Sequence, residues 1–115
     1  MSKLSPQGGS SLAPGSRRKD NGEIVISSKS DSFIVVSDLM TISAEKAVSI
    51  KKILEGKNGQ SLKLIFEDSK ITLVDNNTSE KDTINLGGPF TGSKDAVLCL
   101  VFNGVSWRES SRSMN

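Results

Sequence analysis

The chain has 115 residues, with no His, no Tyr, one Cys and one Trp. One domain's length with that inventory excludes a Ser-His-Asp or Cys-His nucleophile, a histidine-ligated zinc site and an internal disulfide. Apolar residues make up 35% and aromatics 4%, so the modest core is expected to need help from partner subunits or a larger assembly, and the net charge of +2 is unevenly placed.

Residues 1–22 carry four bases (Lys3, Arg17, Arg18, Lys19) against Asp20, a balance of +3, while the rest carries eleven bases against twelve acids, a balance of −1. This segment is rich in Ser, Gly and Pro. After the initiator its apolar content is Leu4, Leu12 and Ala13. It cannot build a core, and Pro6 and Pro14 disfavour helix, so it reads as a flexible basic arm ahead of a β-rich domain at 23–115. No run approaches the ~18 apolar residues of a membrane span and there is no signal-peptide core, so a soluble, unprocessed product without membrane partners is expected.

From Glu23 onward short apolar runs alternate with turn residues, which predicts strands at 24–27, 33–36, 61–66, 71–75, 83–86, 96–102 and 105–109. The turns are Asp68-Ser69, Asp75-Asn76-Asn77, Gly87-Gly88-Pro89, Thr91-Gly92-Ser93 and Asn103-Gly104. Their spacing is that of a compact antiparallel β-sandwich or small barrel, and no βαβ rhythm is present. Residues 43–56 fit two patterns. Ser43 as an N-cap with Ala47, Ile50, Ile53 and Leu54 on one face suits a helix closed by Gly56; Val48, Ile50 and Ile53 suit a strand followed by a Gly56–Gly59 turn.

Two hairpins can be drawn. With Asp68-Ser69 as loop, Glu67 faces Lys70, Phe66 faces Ile71 and Leu64 faces Leu73. With Asn103-Gly104 as a type I′ turn, Phe102 faces Val105, Leu100 faces Trp107 and Leu98 faces Glu109. The core so predicted is Leu62, Leu64, Phe66, Ile71, Leu73, Leu98, Leu100, Phe102 and Trp107. The opposite face carries Val97, Cys99 and Val101 beside Ser106, Arg108 and Ser110. A half-apolar face of this kind is expected to be covered, so these three residues are the candidate oligomer face.

Material for chemistry is sparse. Glu67-Asp68 and Asp75 sit at turns with no His or apolar pocket nearby, which argues against catalysis. Asp75-Asn76-Asn77-Thr78 lacks the spaced acids of a calcium loop, and the sequons within 76–79 matter only on a secretory route. Gly87-Gly88-Pro89 has no Lys-Ser/Thr pair and opens no helix, so it is not a phosphate cradle. Cys99 reads as a small core hydrophobe. No catalytic residue, metal or cofactor is expected. Arg17-Arg18-Lys19 without interleaved aromatics, on a body that is not basic, argues against nucleic-acid binding.

The run from Gly59 to Arg112 resembles a β-module of tailed-bacteriophage virion proteins. The pieces are Gly59-Gln60-Ser61-Leu62-Lys63-Leu64-Ile65-Phe66, Ile71-Thr72-Leu73, Asp82-Thr83-Ile84-Asn85-Leu86, and Val97 through Ser113 with its ending Trp107-Arg108-Glu109-Ser110-Ser111-Arg112-Ser113. Such modules open on a G-Q-x-L-x-L-x-F strand and close on a hairpin ending W-x-E-x-S-R-S; they also have an extended run ahead of the Gly-Gln turn, which favours strand for 48–54. Within that family a small body with a flexible basic arm is most similar to the capsid decoration, or cement, proteins. The resemblance implies a non-enzymatic trimer on the outer capsid surface of the virion, assembled in the host cytoplasm, with the major capsid protein and itself as partners. Leu4, Leu12 and Ala13 would anchor the arm, and Arg17, Arg18 and Lys19 would pair with acidic shell surface. The alternative within the resemblance is a short tail-fibre or head-fibre knob that binds a receptor, for which one Trp and no Tyr are a poor sugar-stacking set.

Overall fold

A computed structural model describes residues 16–76 and 80–113. Twelve strands and, among the described residues, no helix make the protein all-β, as expected. They are β1 (Arg17–Arg18), β2 (Ile24–Ile26), β3 (Ser32–Ile34), β4 (Leu39–Ala44), β5 (Val48–Ile50), β6 (Lys52–Leu54), β7 (Ser61–Phe66), β8 (Ile71–Leu73), β9 (Ile84–Asn85), β10 (Phe90–Thr91), β11 (Val97–Phe102) and β12 (Trp107–Ser113). A seven-stranded sheet runs β1-β2-β4-β7-β11-β12-β9, faced by the small sheets β10-β8-β5 and β3-β6.

The pairing is mixed instead of purely antiparallel. β2, β4 and β7 stack in parallel, β3 lies parallel to β6, and β5 parallel to β8. The chain therefore winds through successive passes, each laying a strand beside its predecessor, before β11 and β12 close the large sheet antiparallel to β7. Alternation explains why this works. In β7, Leu62, Leu64 and Phe66 turn inward while Ser61 and Lys63 are exposed; in β11, Leu98, Leu100 and Phe102 turn inward. Ile24, Ile26, Met40 and Ile42 join them, and Phe33, Ile50, Ile53, Ile71, Leu73 and Phe90 supply the opposite wall. All nine core residues named from the sequence are buried.

The segment at 43–54 holds no helix: it is the end of β4, a bend at Glu45 and Lys46, then β5 and β6. Ser43 lies in β4, where its hydroxyl donates to Glu23 Oε2 at 2.6 Å, and caps no helix. Ile50 and Ile53 are both wholly buried on strands, which one face of an isolated helix would not achieve as well as two inward-pointing strands do.

Three expectations are corrected. The Asp68-Ser69 turn makes no hairpin, because β7 and β8 belong to different sheets. Asp68 accepts from Lys70 N at 2.9 Å through Oδ1 and from Ala44 N at 3.2 Å through Oδ2, pinning a corner against the end of β4. Phe66 and Ile71 point inward in either arrangement, so alternation could not tell corner from hairpin. The C-terminal hairpin is real, but its loop has four residues and Phe102 faces Trp107. Asn103 lacks the positive φ a type I′ turn needs, and its Oδ1 instead accepts from Val105 N and Ser106 N, both at 2.9 Å. The register moves by two residues. Inward groups stay inward, and Val105, no longer opposite Phe102, stands 44% exposed. Finally, Arg17 and Arg18, assigned to a flexible arm, form an edge strand opposite Val25 and Ile24.

Candidate interaction surface

The outer face of the large sheet can be read row by row from the pairing. Thr41, Ile65 and Val97 form one row with Ser113; Leu39, Lys63 and Cys99 form the next with Ser111; Ser61 and Val101 form a third with Arg108. Leu39 is 55% exposed, and Ile65, Val97, Cys99 and Val101 are half-buried. The expected oligomer face, Val97, Cys99 and Val101, is thus one strand of a wider apolar strip centred on the Lys63 side chain. Alternation along a strand does not tell its neighbours, so Ile65 and Leu39 join this strip only through the antiparallel pairing of β7 with β11 and the parallel pairing of β4 with β7.

At one end of the strip an open depression of about 760 Å³ is lined by Asp38, Leu39, Gln60, Lys63, Cys99 and Ser111 among others. Its rim is fixed. Gln60 Nε2 donates to Asp38 Oδ1 at 2.9 Å, and Lys57 N donates to Gln60 Oε1 at 3.0 Å. Cys99 is a free thiol on this face, half-buried and not part of the core as expected.

The basic residues expected to meet a partner divide between two fates. Arg17 and Arg18 are exposed on β1 and have no ion-pair partner among the described residues. Lys19 pairs with Glu23 Oε2 at 3.5 Å, so part of its charge is neutralised by the nearly buried carboxylate at the sheet's edge. Leu4, Leu12 and Ala13 lie outside the described residues.

A charged clamp at the far side of the sheet went unnoticed in the sequence. Arg112 donates to both oxygens of Glu109, each at 2.7 Å, and to Gly88 O at 3.1 Å, while Gly87 N donates to Glu109 Oε1 at 2.9 Å. The guanidinium also lies 5.1 Å over the Phe90 ring. In a regular strand, residues three apart point to opposite faces. Here the register breaks opposite Cys99 and Leu100: Ser110 is the extra residue, its hydroxyl donating to Cys99 O at 3.2 Å, and Glu109 and Arg112 both come to the inner face. The Arg112 hydrogen bonds hold the Glu109 carboxyl below the usual carboxylate range against the opposing effect of burial, and Gly87 N adds to the lowering. The same hydrogen bonds raise the Arg112 guanidinium.

The turn acids are occupied with backbone. Asp68 holds two amides, and Asp75 Oδ1 accepts from Leu86 N at 3.1 Å. Among the described residues no group of three or more His, Cys, Asp or Glu is placed to hold a metal ion. Compared with protein-family models, with curated proteins and with solved structures, the chain matches none of them.

Proposed function

We propose that this chain is a structural protein of a tailed-bacteriophage virion, a capsid decoration protein that binds the outer shell as an oligomer and stabilises it, with the major capsid protein and its own copies as partners. One observation carries the reading: the apolar strip of Leu39, Ile65, Val97, Cys99 and Val101 on the outer face of a sheet whose other side is already a complete core. An apolar strip on a sheet face is a surface for another protein. The exposed Arg17 and Arg18 at the sheet's edge suit acidic shell surface. Many such weak bridges, each tethered by its body, add up across a lattice. A threefold arrangement is what the resemblance implies. The test is reconstitution. Added to heads that lack it, the protein should sediment with them and raise the temperature at which they release their contents; heads unaffected by a saturating excess would remove the proposal.

A further inference from the structure

We infer that the outer face of the large sheet pairs with the same face of a second copy of this chain, across a two-fold axis perpendicular to the strands. The inference rests on the reading that this face is a contact between subunits and fixes its geometry. The argument is charge complementarity along one strand. β7 presents Lys63, Ile65 and, as the ladder continues through Glu67 N to Ile42 O at 3.0 Å, Glu67 on its outer side. Among the described residues neither Lys63 nor Glu67 has an ion-pair partner. Lysine, isoleucine, glutamate read backwards is its own electrostatic complement. When a second copy is turned over with its strands reversed, Lys63 of each protomer faces Glu67 of the other, and the Thr41, Ile65 and Val97 row crosses itself at the axis.

The competing stacking, with the axis along the strands, sets Lys63 on Lys63 and Glu67 on Glu67 and is repelled. Sheets packed face to face lie ~10 Å apart, a gap that a lysine and a glutamate reaching from opposite sides can bridge. Ile65 and Val97 then supply the dry centre, with Leu39 and Cys99 to one side in the Lys63 row, and the two ion pairs supply the orientation. A two-fold contact is isologous and closes on itself. Any threefold association must therefore use another surface, and the assembly contains an even number of chains.

Sedimentation equilibrium of the full chain, with shell binding measured on the same samples, tests this. The expected mass is an even multiple of the subunit. Lys63→Glu should halve it by weakening the contact about 100-fold, as two attractive pairs become repulsive. Glu67→Lys should do the same, and K63E/E67K together should restore the assembly. Lys63 is exposed and Glu67 half-buried, and unchanged circular dichroism certifies the fold of each variant. A monomeric or trimeric wild type, or a double variant that stays apart, overturns the two-fold pairing. A chain that binds shells while failing this test keeps the virion reading; one that pairs as described but ignores shells keeps only the pairing.

Discussion

Gly56 and Gly92 are held to glycine by aromatic rings. A Cβ at Gly56 would stand 2.5 Å from Trp107 Cζ2, and one at Gly92 would stand 2.3 Å from Phe66 Cδ2. Both rings are wholly buried, and Trp107 is further fixed by its Nε1 donating to Ile53 O at 2.9 Å, so neither can step aside without disturbing the core. Gly56→Ala and Gly92→Ala should each cost about 1–3 kcal/mol in urea unfolding, the range for overpacking. Gly87 is the control. A Cβ there meets only Glu109 Oε1 at 3.7 Å, an ordinary contact, and Gly87→Ala should change stability by under about 0.5 kcal/mol. The sequence marks all three only as turn glycines. Nothing local distinguishes a glycine needed for clearance from one that is merely convenient, because the ring that decides is supplied from elsewhere in the chain.

At the scale of elements, what could be read was which side of each strand faces inward, and what could not was which strands are neighbours. Leu62, Leu64 and Phe66 were legible as a buried face from alternation alone. The corner at Asp68 was not, since it depends on Ala44 N, a partner 24 residues away. Asp68→Ala removes the acceptor for two amides and should cost about 1–2 kcal/mol, while Asp68→Asn keeps one oxygen and should cost about half that in urea unfolding; equal losses would mean that the retained oxygen contributes nothing. The Glu109–Arg112 clamp was hidden for a different reason: spacing alone puts the two on opposite faces, and only the extra Ser110 unites them. Because the folded state lowers the Glu109 pKa, its stabilisation is fully present above the ordinary glutamate range and is lost as pH falls through the lowered value. Glu109→Gln should therefore cost about 1 kcal/mol at pH 7, and its unfolding curve should converge on that of the wild type in acid.

For the whole molecule, the chain winds in passes of unequal length. Ile24 pairs with Ile42 and Ile42 with Phe66, separations of 18 and then 24 residues, so the passes share an inward face without sharing a period. The same winding relocates the boundary between arm and body. β2, with Ile24, Val25 and Ile26 all buried, is covered on its outer edge by β1, and Lys19 neutralises Glu23 beside it. Removing residues 1–15 leaves every contact among the described residues in place; removing residues 1–20 strips β1 away, uncovers a hydrophobic edge and leaves a nearly buried carboxylate without its cation. The two truncations should therefore behave differently. The shorter one should melt within a few degrees of the full chain yet bind shells more weakly, because it lacks Leu4, Leu12 and Ala13 but keeps Arg17 and Arg18. The longer one should lose about 1–3 kcal/mol and aggregate on concentration, since an unprotected apolar strand pairs with its like. Differential scanning fluorimetry beside shell co-sedimentation reads both. Equal shell binding by the full chain and the shorter truncation would take Leu4, Leu12 and Ala13 out of the docking mechanism and leave it to Arg17 and Arg18 at the sheet's edge.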